Sequence, residues 1–142
     1  MPRYAVNIEE FAPAGVREEQ GWHQMDIRFI VTRETVGSTQ AAWWRTVFPP
    51  GAAHRKHIHH QSDEILYGIC GRGAQGIGDT EVLVEPGVAV FIPKGAVHWM
   101  RNLSETEPLE IVGIYAGVGS LEESGYEYVG EICPQDRRLD LG

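Results

Sequence analysis

The chain has 142 residues, of which 42% are hydrophobic and 23% charged, and these values predict one globular domain with a single core. Its formal net charge of -8 argues against nucleic acid and an anionic membrane as partners, because little positive charge is available to neutralise phosphates. No apolar run approaches the length of a membrane span.

The first 25 residues are predicted to form an irregular arm with one strand at residues 4–8. An arm of this kind can pair with a second subunit and cover an exposed sheet edge. Residues 1–25 therefore predict a dimer contact, and the chain is expected to form a homodimer.

Residues 26–118 contain many short β-type runs that are separated by Gly and Pro turn signals. Such spacing predicts an all-β sandwich or barrel. The predicted strands are 27–32, 42–48, 64–69, 82–84, 88–92, 97–100 and 109–116, and the turns between them include 71–73 and 76–79. Residues 119–142 are predicted to form a C-terminal extension that contains one helical turn at 120–124.

The two cysteines, Cys70 and Cys133, are too far apart in sequence to resemble a metal-binding pair. The sequence carries no apolar leader, so we expect a cytoplasmic protein in which both thiols are free. Residues 71–76 spell GxGxxG, but the dinucleotide-binding interpretation requires a following helix, and another strand and turn are predicted instead.

The first chemical signal is His57-Ile58-His59. Residues i and i+2 of a strand share a face, so both imidazoles can point into a barrel. Glu64 opens the next apolar run, and His98 follows a Pro-Gly turn. Three imidazoles and one carboxylate suit a divalent transition ion and leave room for substrate or water.

The residues around these four positions complete two motifs, and by them the chain is identified as a member of the cupin superfamily. The first motif comprises Gly51, His57, His59, Glu64 and Gly71, and the second comprises Gly87, Pro93, Gly95, His98 and Asn102. The resemblance implies a jelly-roll-like barrel, or double-stranded β-helix, which binds one metal ion through His57, His59, Glu64 and His98.

Two further histidines adjoin the motif. His54 and His60 lie at odd offsets from His57 and His59, so strand alternation predicts that both face outward. A kink near His59 could instead make either of them a fifth ligand or a base, and we include His60 with Glu64 as a candidate catalytic residue.

The same alternation predicts a largely apolar and aromatic substrate pocket. Its expected members are Trp44, Thr46, Phe48, Leu66, Gly68, Cys70, Met100, Ile114 and Ala116, with Trp43, Arg45 and Val47 on the other face. No ring of lysines or arginines is available for a phosphate or a dicarboxylate. An apolar or aromatic small molecule with a few oxygens is the expected substrate.

Three functions remain compatible with such a pocket. The ion could act as a Lewis acid that polarises a carbonyl for carbon–carbon bond formation. Alternatively, a redox-active ion could bind dioxygen and oxidise the substrate in a dioxygenase. The third alternative is a non-catalytic cupin that binds a small molecule.

Residues 35–39, read together with the strand that leads to Pro50-Gly51, resemble the cupin-type cyclases of bacterial aromatic polyketide pathways, such as the resistomycin type. This resemblance implies zinc and aldol-type cyclisation of a poly-β-ketone. The predicted ligands themselves also suit Fe, Ni, Mn, Co or Cu. The resistomycin type is described with four histidine ligands, whereas Glu64 occupies the fourth position here. Either Glu64 ligates the ion, or His54 or His60 replaces it and Glu64 acts as a base.

Overall fold

A computed structural model describes residues 3–15 and 17–139. Eleven strands and one short helix make up most of this part of the chain, together with 3₁₀ turns at Ile8–Glu10, Glu18–Gln20, Glu122–Ser124 and Pro134–Asp136. The strands are β1 (Trp22–His23), β2 (Asp26–Val31), β3 (Ala41–Phe48), β4 (Ala53–His59), β5 (Glu64–Cys70), β6 (Gly73–Ile77), β7 (Thr80–Val84), β8 (Ala89–Ile92), β9 (His98–Asn102), β10 (Leu109–Ala116) and β11 (Tyr126–Gly130), and the helix is α1 (Arg33–Val36).

The strands form two antiparallel sheets that enclose one core. The six-stranded sheet has the order β1-β4-β9-β6-β7, and β11 also pairs with β4. The five-stranded sheet has the order β2-β3-β10-β5-β8. Inward-facing residues of both sheets, among them Trp44, Leu66 and Met100, form the hydrophobic core between them. The predicted all-β barrel is confirmed.

The N-terminal arm packs on its own barrel. The predicted strand at residues 4–8 is wrong, because this segment is irregular and leads into the 3₁₀ turn at Ile8–Glu10. The amide of Ala14 donates to the carbonyl of Ile27 at 2.8 Å, and Arg28 Nη1 donates to the carbonyl of Phe11 at 3.2 Å. The arm thereby covers the edge strand β2 of the five-stranded sheet.

Residues 73–77 form a buried strand, β6, where the sequence predicted turns at 71–73 and 76–79. Gly76 is required there by close packing. A Cβ at this position would lie 1.8 Å from Cε2 of the Trp99 ring on the neighbouring strand β9. Gly76, which resembles a turn signal in the sequence, therefore makes room for the Trp99 indole.

The C-terminal residues also join the barrel, beyond the predicted boundary at 118. Strand β11 pairs with β4 in the register Tyr126↔His59 and Tyr128↔His57. Further along, the amides of Arg138 and Leu139 donate to Glu81 Oε1 at 2.6 and 3.0 Å. The extension thus contacts both the strand that carries the histidine pair and strand β7.

The side chain of Glu81 is fully buried. Its Oε2 accepts hydrogen bonds from Trp99 Nε1 at 3.1 Å and Arg101 Nε at 2.8 Å. Burial raises the pKa of this carboxyl, but the bonds from Arg101 and Trp99 lower it by more, so the net shift is downward.

Neither described cysteine is in a disulfide, in agreement with the prediction of free thiols. Cys70 is exposed rather than inward-facing, because the pairing of β5 with β10 is irregular next to it, between Glu110 and Ile111. Within the described residues, no helix has both the length and the apolar character needed to cross a membrane.

Candidate metal centre

Three buried histidines meet in the interior of the barrel. His57 and His59 come from β4 and His98 comes from β9, where it lies directly opposite His57 in the sheet. One nitrogen of each of these imidazoles lies within 4.8 Å of the other two. The structure therefore brings together the three histidines that the sequence motifs predicted as ligands.

Backbone carbonyls fix the orientation of two of these rings. His57 Nδ1 lies 2.6 Å from the carbonyl oxygen of Arg55, and His98 Nδ1 lies 3.0 Å from that of Ala96. A carbonyl can only accept, so both Nδ1 atoms carry a proton, and in the neutral ring each Nε2 atom therefore carries a lone pair. This is the arrangement by which proteins orient metal-bound imidazoles.

Ser124 orients the third ring. Its hydroxyl donates to the carbonyl of Leu121 at 2.5 Å and lies 2.8 Å from His59 Nδ1. The hydroxyl has a single proton, which the carbonyl uses, so His59 Nδ1–H must be the donor in the second bond. His59 Nε2 is therefore also unprotonated in the neutral ring.

The donor set fits a divalent transition ion. His59 Nε2 and His98 Nε2 are buried and have no hydrogen-bond partner within residues 3–15 and 17–139. Buried nitrogen atoms are rarely left without partners unless a ligand or ion supplies one. Burial and the neighbouring imidazoles of His54 and His98 hold the pKa of His57 well below its ordinary value, which keeps this ring in the neutral state that binds metals.

Glu64, at the start of β5, lies beside this cluster. Its Oε1 is 3.2 Å from His59 Nε2 and 3.8 Å from His98 Nε2. In a tetrahedral zinc site with bonds of 2.0–2.2 Å, neighbouring ligand atoms are about 3.4 Å apart. Burial raises the pKa of the Glu64 carboxyl, but His59 and His98 lower it by more, so the group is ionised as a ligand would be.

His54 is buried and faces inward, so the predicted outward orientation is wrong. The pairing of β4 with β9 shifts register between His54 and His57, which places two residues three positions apart on the same face. The two rings stack with centroids 3.5 Å apart and an interplanar angle of 12°. Burial lowers the pKa of His54 well below its ordinary value, and the nearby His98 adds to this effect.

Tyr126 of β11 holds His54 in place. The tyrosine hydroxyl donates to the carbonyl of Gln20, accepts from Trp22 Nε1 at 3.1 Å, and lies 3.0 Å from His54 Nε2. Because its only proton is used on Gln20, His54 Nε2–H is the donor. The Tyr126 ring also lies 5.2 Å from the ring of His57, so it supports the cluster from the side.

His60 lies outside this cluster. Its Nε2 is 3.0 Å from Glu127 Oε1, and about half of its side chain is exposed. The structure therefore does not bring this predicted catalytic residue to the three buried histidines, because it follows His59 at the end of β4 and faces the opposite way. Of the two candidate catalytic residues, Glu64 alone adjoins them.

A cavity of about 20 Å³ lies between the histidines and the apolar interior. It has room for one or two water-sized ligands. Five of the nine predicted pocket residues line it, namely Trp44, Thr46, Phe48, Leu66 and Met100, whereas Gly68, Cys70, Ile114 and Ala116 do not. Ile27, Gln75, Trp99, Ile111 and Tyr115 complete the lining with His54, His57, Glu64 and His98, and none of these described residues is a lysine or an arginine.

The predicted contribution of β10 to this pocket is wrong by one residue. Ile111, Gly113 and Tyr115 face inward, whereas Ile114 and Ala116 do not. Gly113 makes room for the Trp44 indole, since a Cβ there would lie 2.4 Å from Trp44 Cζ2. Tyr115 packs on His59 with ring centroids 4.6 Å apart, and burial and the Glu64 charge raise its pKa well above the ordinary value.

Trp44 Nε1 is buried and has no hydrogen-bond partner among the described residues. This N–H belongs to a side chain that lines the cavity beside the histidines. It is therefore available to a ligand that offers an oxygen.

Comparison with known proteins gives one family match and two curated relatives. The model of the Cupin domain family matches residues 44–115, about half of the chain. The tetracenomycin polyketide synthase protein TcmJ of Streptomyces glaucescens is 31% identical over 75 residues, and the polyketide synthase CurC of Streptomyces cyaneus is 26% identical over 102 residues. These alignments include 53% and 72% of this chain but only 50% and 62% of the two relatives.

Solved structures agree on the fold. A cupin-like protein from Thermotoga maritima superposes with a TM-score of 0.71 at 24% identity, over 92% of this chain and 94% of its own. A predicted oxalate decarboxylase from the same organism gives 0.67 at 20% identity, over 81% and 100%. An oxalate oxidase in complex with the substrate analogue glycolate gives 0.68 at 19%, over 88% and 63%.

Proposed function

The chain belongs to the cupin family, and from that premise we propose that it is a metal-dependent polyketide cyclase that closes a ring in a poly-β-ketone by aldol-type carbon–carbon bond formation. The observation that carries this proposal is the buried cluster of His57, His59 and His98 in an apolar cavity. The similarity to two polyketide synthase proteins of Streptomyces supports the substrate class.

His57, His59 and His98 would hold the ion, with Glu64 as the fourth ligand. When bound, a divalent ion of this kind supplies Lewis acidity towards a carbonyl oxygen. We propose zinc because aldol chemistry needs no change of oxidation state. With three neutral imidazoles and one carboxylate as ligands, a divalent ion would leave the site with a net charge of about +1. Such a charge favours an oxygen that develops negative charge.

The side chains around the cluster provide the remaining functions. With Oε1 of Glu64 as the ligand atom, Oε2 of the same carboxylate would remain to accept a proton from an activated methylene. The unpartnered Trp44 N–H can donate to a substrate oxygen, and the rings of Trp44 and Phe48 present apolar walls. A cavity of about 20 Å³ admits one keto oxygen of the substrate beside the cluster, but not its carbon chain.

The first test combines metal analysis with a cyclisation assay. We expect about one zinc ion per chain and loss of cyclised product in H57A and H98A, with H60A as the matched control because His60 is a surface histidine that pairs with Glu127. A poly-β-ketone thioester serves as substrate. Full cyclisation by a chelator-treated, metal-free sample would contradict the proposal.

The small cavity favours a second candidate, a cupin dioxygenase, because a space of about 20 Å³ admits a diatomic molecule. Iron, nickel or copper in the purified protein would support this candidate, together with oxygen uptake by the protein when an aromatic substrate is added. Equal cyclisation with and without oxygen would exclude it. Absence of both bound metal and turnover would leave the small-molecule-binding cupin.

A further inference from the structure

A second cavity, of about 370 Å³, lies between the N-terminal arm and the barrel. We call it the arm cavity. Its lining comes from the arm, from strand β2 and helix α1, and from the turn that precedes β11. The residues that matter most are Phe11, Ala12, Arg17, Phe29, Glu34 and Leu121. Its volume lies in the range that small-molecule sites have in proteins, whereas the cavity beside the histidines is far smaller.

The arm cavity ends close to the metal centre. Phe29 lines the arm cavity and pairs across β2 and β3 with Trp44, which lines the cavity beside the histidines. Leu121 forms another part of the boundary. It is buried in the core, and its carbonyl accepts from the Ser124 hydroxyl that orients His59. The two cavities therefore approach each other across core side chains.

The proposed substrate needs a space of this kind. One keto oxygen fits beside the three histidines, whereas the carbon chain that carries it does not. A chain that folds back to close a ring has several carbon atoms beyond that keto group. Contacts with such remote atoms are what hold the reacting atoms in position. The arm cavity is large enough for them and lies next to the histidines.

One wall of the arm cavity is apolar. Phe11 and Ala14 contribute to it from the arm, and Phe29 and Leu121 contribute from the barrel. The ring of Phe29 lies 6.2 Å from that of Trp22, which is fully buried. The wall is therefore continuous with the core, and it can bind the carbon skeleton of a ligand through burial of apolar surface.

The charged groups of the lining disfavour an anionic ligand. Arg3 pairs with Glu10, which leaves Glu34 and Glu122 against Arg17, the single cation among the described lining residues. A carboxylate or a phosphate would therefore meet an excess of negative charge. The guanidinium of Arg17 lies over the ring of Trp22, 5.2 Å from its centroid, and its N–H groups can donate to a keto oxygen.

We propose that the arm cavity binds the neutral carbon chain of a polyketone whose leading keto oxygen lies beside the three histidines. The assignment rests on the proposed function, because it gives that same site its substrate-binding part. The chain passes the side chain of Leu121, its skeleton packs on the apolar wall, and Arg17 donates to a second keto oxygen. Glu34 and Glu122 select against a chain that carries a carboxylate.

A matched pair of small ketones tests the binding. The neutral probe is 1-tetralone, a bicyclic aryl ketone, and the charged probe is the same molecule with a carboxylate on its aromatic ring. Ligand-observed NMR and tryptophan fluorescence measure both dissociation constants. We expect about 1 mM or lower for 1-tetralone and at least about fivefold weaker binding of the carboxylate. Replacement of both acids in E34K/E122K is expected to remove this preference.

A12W tests the location, because Ala12 is exposed and lines the arm cavity. We expect the indole to fill the space and to weaken binding of 1-tetralone at least about tenfold. KM for the poly-β-ketone thioester should rise by more than kcat falls, with zinc content unchanged. A89W is the matched control, since Ala89 is exposed at the start of β8 and lies outside the lining. Thermal unfolding establishes that both variants are folded.

Failure of the wild type to bind 1-tetralone overturns the assignment, as does equal binding by A12W and A89W. Equal binding of the ketone and its carboxylate by the wild type would overturn the ligand class. Zinc-dependent cyclisation that A12W leaves unaffected would overturn the role of the arm cavity while the proposed function stands. Binding of 1-tetralone at this cavity without any cyclisation would contradict the proposed function and support a site for neutral ketones.

Discussion

Replacement of Ser124 by Ala tests whether the tautomer of His59 is set by this hydroxyl. Ser124 is fully buried, and its Oγ is the acceptor for His59 Nδ1–H at 2.8 Å. The variant leaves that N–H without its acceptor. The backbone hydrogen bond from the amide of residue 124 to the carbonyl of Leu121, 3.1 Å long, is retained. One unsatisfied buried N–H corresponds to about 1–3 kcal/mol, and loss of the partner of a metal-bound histidine typically weakens binding about 10- to 100-fold.

The assay is competition for zinc against a chromophoric chelator, with thermal unfolding of the metal-free protein measured in parallel. We expect zinc affinity to fall about 10- to 100-fold. Ser120 provides the matched control, since its hydroxyl bonds to Glu123 near the same 3₁₀ turn and touches no histidine. If folded S124A bound zinc within about twofold of wild type, less than 0.5 kcal/mol, the derivation of the His59 tautomer would be refuted.

Three further predictions concern other buried groups. E64Q keeps the shape of the side chain but removes a charge that lies 3.2 Å from His59 Nε2, and we expect weaker zinc binding in the same competition assay, by about tenfold or more. E81Q should lower the free energy of unfolding at neutral pH by about 2–4 kcal/mol. Because the pKa of Glu81 is lowered on folding, its contribution to the free energy of unfolding is present above the unfolded pKa and is lost as pH falls through the folded pKa. Urea unfolding should therefore show the free energies of wild type and E81Q becoming equal in acid. G76A should destabilise the fold by about 3 kcal/mol or more, as measured by urea unfolding, because its Cβ would lie 1.8 Å from the Trp99 ring. G15A is the control, since no atom of the described residues lies within 4 Å of a Cβ there.

Alternation along β3 was sufficient to predict which of its residues face inward. Trp44, Thr46 and Phe48 are buried, and Trp43 is exposed on the opposite face. The same rule failed in β4, where the register shift after His54 changes the parity of the strand. It also failed in β10, because both faces of that strand are apolar and the pattern does not distinguish them.

Several residues that orient the histidines were missed because they come from the end of the chain. Ser124 is 65 positions from His59, and the hydroxyl of Tyr126 is 72 positions from His54. The alternating run at residues 126–129 resembles a strand, and this signal could have placed Tyr126 in a sheet. No local pattern indicates which strand it would pair with.

The sequence by itself determined which three histidines meet in the candidate metal centre, because the spacing of His57, His59 and His98 relative to glycine and proline turns is a local property of the chain. It also determined the all-β class, since short runs between turn residues leave few alternatives. Only the tertiary structure decided which nitrogen of each imidazole is free and that His54 faces inward. These features depend on register between strands that are distant in sequence, and a one-residue change in register moves every side chain of a strand to the other face.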